Sequence, residues 1–217
     1  MERRFIPRNN DAWTLIELLV VLAVLFVLAA MIDWGPSSKL KAKAQRVQCI
    51  NNLKQVGFAL RMWQQGNGGG FQMFAANTDG AAKERLEGSF AFRRFQVMSN
   101  ELGNPKTLLC PTDKRAYATN FLALKNENVS YFIGLDATDA KPPMLLSGDR
   151  NITNGLLPTR TILLLPPDRP AGWTREMHVN QGNVALADGS AASVSTSGLR
   201  EMIRNTGDGT NRIAIPE

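Results

Sequence analysis

Any reaction that this chain ran through an imidazole would have to use His178, the one histidine among 217 residues. It opens the run His-Val-Asn-Gln-Gly-Asn-Val-Ala-Leu-Ala-Asp-Gly and so stands ten residues ahead of Asp188, with Gly189 next. No Gly-x-Ser-x-Gly elbow, phosphate-binding loop, His-Glu-x-x-His pair or close pair of acids accompanies it. A lone histidine seldom assembles a catalytic centre, so His178 is read as structural. Asp188-Gly189 suits a type I′ hairpin turn, and His178, ahead of the first strand of that hairpin, would hydrogen-bond a neighbouring loop. The two cysteines, Cys49 and Cys110, make with this histidine no zinc spacing of a recognised kind. Enzymatic activity is not expected.

The other residue that invites chemistry is Glu17. It is the single ionisable side chain in Leu15 to Ile32, LIELLVVLAVLFVLAAMI, a run that as a helix covers roughly 27 Å and nearly matches a bilayer core. A carboxylate in such a span costs about 2.5–3.5 kcal/mol at the bilayer centre and normally persists only where it has a partner. Upstream, Arg3, Arg4 and Arg8 outnumber Glu2 and Asp11, which keeps the amino end cytoplasmic and exports the chain beyond Ile32. A secretory signal cut near Leu28-Ala29-Ala30 is the plain alternative. A Glu17 that merely snorkels to the interface is the plain alternative for the acid.

The segment Ala12-Trp13-Thr14-Leu15-Ile16-Glu17-Leu18-Leu19-Val20-Val21 resembles the cleavage and methylation signal of type IV pilins and type II secretion pseudopilins. The resemblance implies a prepilin peptidase that cuts between Ala12 and Trp13, methylation of the new Trp13 amine, and Glu17 as an assembly contact to the Trp13 ammonium of a neighbouring subunit. Two positions depart from the usual signal: Ala12 stands for glycine, and Asp11 stands where a basic residue is common. The segment from His178 to Gly189 resembles the H-X9-DG region found together with prepilin-type signals, and Cys49-Ile50-Asn51-Asn52-Leu53-Lys54-Gln55 is similar to members of that group. The partners implied are the peptidase, further copies of the chain and other pseudopilins, at an inner membrane, with the exported part in the periplasm or in a filament. The family also implies calcium in a carboxy-terminal loop. Asp136, Asp139, Asp149 and Asp208 lie in loop-like segments without EF-hand spacing, so they are read as solvated loop acids and no cofactor is expected.

These residues require a positioning frame. Residues 1–12 read as a cytoplasmic leader and 13–65 as one long helix, with a membrane half at about 15–32 and an exported stem at about 37–65. Between the halves, Gly35-Pro36 interrupts or kinks the helix, because proline removes a backbone donor and clashes one turn back. Along the stem Leu40, Val47, Ile50, Leu53 and Leu60, with Ala44 and Gly57, form one apolar stripe. Between Trp34 and Thr78 there are six Lys or Arg and no Asp or Glu. That run reads as a solvated basic face; with only Trp63 near it and no base-reading motif, nucleic acid is not an expected partner. Net charge over the chain is +6, with 44% hydrophobic and 20% charged residues, which excludes disorder and a polytopic membrane protein.

Residues 66–217 read as a globular α+β domain. A helix capped by Ser89 runs to about Leu102, and short strands succeed it at 107–109, 129–133, 144–146, 160–165, 182–187 and 190–195. A pilin-like fold, a long amino-terminal helix packed on an antiparallel sheet, is what the resemblance implies. In an exported domain an even cysteine count favours a Cys49–Cys110 bridge from stem to sheet; two separately buried thiols are the alternative. The function expected is a structural pseudopilin or pilin-like subunit of a periplasmic filament. A single-pass anchored module that binds a glycan or an exported protein is the competing reading.

Overall fold

The computed structural model describes residues 14–32, 38–66, 91–138, 140–156 and 162–216. Ala12, Trp13, the Gly35-Pro36 break, Ser89 and Asp139 lie outside them. The chain divides into two compact units, Met1–Lys41 and Ala42–Glu217.

In the first unit the apolar run forms helix α1, Leu15–Ile32. Its side chains from Leu15 to Ala30 are exposed, as expected of a segment with apolar residues on every side and no stripe to bury. Among the described residues no helix is long and apolar enough to cross a membrane. In α1 the side chains of the last two residues, 31 and 32, are not described. Leu15 to Ala30 supplies about 24 Å of rise, against a hydrocarbon core of about 30 Å.

Helix α2, Ser38–Gly66, begins in the first unit and from Ala42 onward belongs to the second, where it buries Cys49, Leu53, Val56, Gly57, Ala59, Leu60 and Gln64. The stripe is narrower than the sequence suggests. Leu40 and Val47 are exposed, because the packed face begins only at Cys49 and advances by threes and fours from there. The next helices among the described residues are two short ones, α3 (Ala91–Val97) and α4 (Ser99–Leu102). They replace the single helix expected up to Leu102; Met98 interrupts it, and Gly103 at φ +65° ends it. Residues 107–109, expected as a strand, instead close a 3₁₀ turn at Pro105–Leu108. Pro105 presets its first turn and the Asn104 side chain accepts from the Lys106 amide.

Six strands make one antiparallel sheet: β1 (Tyr131–Gly134), β2 (Leu145–Asp149), β4 (Ile162–Leu164), β6 (Gln181–Leu186), β7 (Ala191–Ser195) and β8 (Arg212–Ala214), in the order β4-β8-β1-β2-β6-β7. Strands β3 (Ile152–Thr153) and β5 (Gly172–Trp173) pair separately. The alternation of strand side chains sorts the sheet into two apolar layers. Tyr131, Ile133, Leu146 and Ala185 point into a cluster with the α2 residues Cys49, Leu53, Val56 and Leu60. Phe132, Leu145 and Val184 point the other way and meet Leu199 and Ile203. Those last two belong to helix α5, Thr196–Asn205, capped by the Ser195 side chain on the Gly198 amide. The architecture is α+β, an amino-terminal helix followed by a carboxy-terminal antiparallel sheet that fits a pilin-like fold, with α5 covering the sheet face that α2 leaves open.

Candidate functional site

Among the described residues, the site residues read from the sequence fall at two places, one in each unit. In the first, Thr14 and Glu17 close a capping box at the start of α1. The Thr14 amide and hydroxyl each donate to Glu17 Oε2 at 2.9 Å, and the Glu17 amide donates back to Thr14 Oγ1 at 3.3 Å. Thr-x-x-Glu ahead of an apolar run is the sequence signature of this device, and by that signal Thr14 joins Glu17 as part of the site. Only Oε2 is used: Oε1 makes no hydrogen bond among the described residues, and the side chain is open to solvent. Glu17 thus has one oxygen that starts the helix and one left for another group. Ala12 and Trp13 lie outside the described residues.

The second place centres on His178. Its Nε2 lies 3.4 Å from Cys110 Sγ, 3.5 Å from Thr112 Oγ1, 3.1 Å from Asn183 Nδ2 and 3.4 Å from Asp149 Oδ2. Cys110 is bonded to Cys49, with 5.0 Å between their Cα atoms, and both are fully buried. Asn183 decides the imidazole's state. Its amide group gives one hydrogen to Asp149 Oδ2 at 2.8 Å and the other to His178 Nε2, so Nε2 carries a lone pair and the ring is the neutral Nδ1–H form. Burial, then the nearby Arg46 guanidinium, pushes the His178 pKa down to about 4. Asp149 moves the opposite way. Burial lifts its carboxyl to about 7, although the Asn183 amides and Arg46 pull against that rise.

Asp149 corrects an expectation: it is no solvated loop acid but the last residue of β2 and wholly buried. Asp136 and Asp208 are also engaged by protein. Asp136 takes the Arg212 guanidinium at 2.6 and 2.9 Å, and Asp208 accepts from the Thr210 and Asn211 amides at 2.6 and 3.0 Å. Among the described residues, Cys49, Cys110 and His178 form the one group whose metal-ligating atoms lie together, within 4.8 Å of one another. The two sulfurs are spent on each other, and a disulfide sulfur lacks the thiolate charge a metal takes, which leaves one imidazole.

The Asp188-Gly189 turn is a hairpin, though not of type I′. That turn requires positive φ at both central residues, and here Gly189 has φ +84° while Asp188 is not left-handed. The Gly189 amide donates to Leu186 O at 2.9 Å and the Leu186 amide to Ser190 O at 2.9 Å, the three-residue loop in which a type I turn is followed by a left-handed glycine. A second reason fixes the glycine. A Cβ there would lie 2.6 Å from Arg61 Cζ; the guanidinium rests on the turn and donates to Ala187 O at 2.8 Å.

At the other end of β6, Arg46 donates to Gln181 Oε1 and to His178 O, the latter at 3.1 Å. Two α2 arginines, about 22 Å apart along the helix, therefore hold the two ends of the strand that joins His178 to Asp188-Gly189. The ten-residue spacing from His178 to Asp188 is, in space, a strand latched to the stem helix at both ends, with the Cys49–Cys110 disulfide beside His178. Neither arginine is legible as a partner in the sequence, because each is set in a basic run that reads as surface.

No curated protein and no solved structure matches the chain significantly. Residues 8–32 match the family described as a prokaryotic N-terminal methylation motif. That match spans the capped glutamate and the apolar helix, and it marks the chain as a type IV pilin- or pseudopilin-like protein at its amino end.

Proposed function

We propose that the chain is a structural subunit of a type II secretion pseudopilus or a related filament, stored in the inner membrane by α1 with its globular unit in the periplasm. The methylation motif at residues 8–32 carries this reading. It implies a prepilin peptidase and assembly with other pilin-like chains. Ala12 and Trp13 are the residues assigned to cleavage and methylation, and Glu17 the residue assigned to subunit addition. The capping geometry supports that assignment: Oε2 stays on Thr14, so a neighbour's Trp13 ammonium would be received by Oε1 without unwinding the helix. Inside an apolar bundle an unpaired carboxylate is costly and a paired one sets register. Repeated contacts of this head-to-tail kind build open helical arrays.

No reaction chemistry is proposed. The single imidazole is buried, neutral and committed to Asn183, and the work of the molecule is mechanical. Mass spectrometry of the mature amino terminus tests the reading. A chain beginning at methylated Trp13 is expected; one beginning at Met1 in cells that possess the peptidase removes the filament proposal and leaves a tether.

A further inference from the structure

Beside the buried His178 cluster the surface opens into a cleft of about 270 Å³, lined by Arg46, Thr112, Met177, His178, Val179 and Gln181 together with Ala42. It has room for about nine waters, the size of a single sugar ring or amino acid. Three features decide what it accepts.

The first is the hydrogen-bond inventory. Two acceptors at the rim, Gln181 Oε1 and His178 O, are engaged by Arg46. Donors remain in the other guanidinium N–H groups of Arg46 and the Gln181 Nε2 amide, whereas the Thr112 hydroxyl hydrogen is taken by the disulfide sulfur of Cys110 or by His178 Nε2, neither of which has one to give. The second is charge. None of the lining residues is acidic, and Arg46 makes no ion pair among the described residues. Asp149, the acid whose charge Arg46 feels, is wholly buried behind the imidazole and holds its proton up to about pH 7. The third is backbone strain. Val179 has φ 51° and Asn180 φ 60°, consecutive left-handed residues, one of them β-branched, which is an outlier for such a side chain. Strain of this kind persists where the surroundings enforce it and concentrates at binding sites. Here it holds the Val179 side chain, 64% exposed, as an apolar wall of the cleft that Arg46 also lines.

We propose that this cleft binds a small organic carboxylate, with the Arg46 guanidinium and the Gln181 amide on the carboxylate and the body of the ligand against Val179 and Met177. A planar guanidinium favours a planar carboxylate through paired N–H bonds. The carboxylate belongs either to an acidic sugar or to an acidic amino acid, and the proposal stands apart from the filament reading, since the site needs neither cleavage nor assembly.

The test is saturation-transfer NMR and calorimetry on the full chain in detergent micelles, with glucuronate against glucose and glutamate against glutamine. At least one carboxylate is expected to bind where its neutral counterpart does not, and added salt should weaken it. Arg46→Gln should lower affinity by about tenfold or more, the effect of losing a charged hydrogen-bonding partner. If that variant fails to fold, as judged by circular dichroism and disulfide content, Gln181→Leu, which removes a cleft donor at the strand end, takes its place and should also weaken binding. Glucuronate alone or glutamate alone identifies the source. Carboxylates that bind no better than their neutral partners, or binding that is unchanged in the folded variant, overturn the proposal.

Discussion

Asp149 and His178 are each held in the protonation state their ordinary pKa disfavours near pH 5.5, and the two costs run in opposite directions along the pH axis. His178, lowered from 6.5 to about 4, binds fewer protons in the native than in the unfolded chain, so its contribution to stability is lost as pH falls from about 6.5 to 4. Asp149, raised from 3.8 to about 7, binds more protons when native, so its contribution is lost as pH rises from about 4 to 7. Between about 4 and 6.5 the slopes cancel. Removing either partner should expose the pH dependence of the other. Asp149→Asn, compared with the parent by urea unfolding of the full chain in detergent, should lose stability as pH is lowered through 6.5. His178→Asn should lose it as pH is raised toward 7. Parallel curves for parent and both variants would mean that neither group is held in this way. Asp188-Gly189 is legible in the sequence as a turn because its chemistry is local. The role of Asp149 is not, because only the pairing of β2 with β6 brings it beneath the imidazole.

At the level of elements the stem helix is tied to the loop after the 3₁₀ turn by the disulfide and to the two ends of β6 by two arginines. The disulfide closes a separation of 61 residues, which by loop entropy stabilises the fold by about 4 kcal/mol. Cys49→Ser with Cys110→Ser should lower the urea midpoint accordingly while β6 stays latched. An unchanged midpoint would show that packing of α2 on the sheet supplies the tie unaided. The Arg61 latch has its own probe in Gly189→Ala, which meets both the guanidinium and a positive φ and should cost at least about 1 kcal/mol in the same unfolding measurement. Much of this level is readable in the sequence. The strands around 131, 145, 162, 182 and 191 announce themselves by β-branched and apolar runs bounded by turn residues. Helix α5 does not, although Ser195 caps it and Leu199 and Ile203 share a face, because its stripe is only two residues long and its meaning depends on a sheet face that no local pattern reveals. Strand β8 is silent for the same reason: the three residues of Arg212–Ala214 gain their identity from pairing with β1 and β4.

For the whole molecule, the question is whether Glu17 serves as a helix cap, as a charge, or as both, and the capping box offers a way to divide the two. Glutamine takes the glutamate's place in such boxes, because its side-chain oxygen still accepts from the first turn. Glu17→Gln should therefore keep the start of α1 and its insertion, and lose only the negative charge. Glu17→Ala loses both, with a cap worth about 1 kcal/mol. If the carboxylate is a polymer contact, the glutamine chain should be cleaved and methylated at Trp13, remain with the membrane fraction, and fail to appear in sheared filaments to the same degree as the alanine chain. If instead the cap alone matters, the glutamine chain should assemble like the parent. Sedimentation of filaments, with mass spectrometry of each amino terminus to confirm equal processing, reads the difference. An assembled Glu17→Gln filament would leave the buried charge pair without support, and would assign the carboxylate to the one role its hydrogen bonds to Thr14 already display.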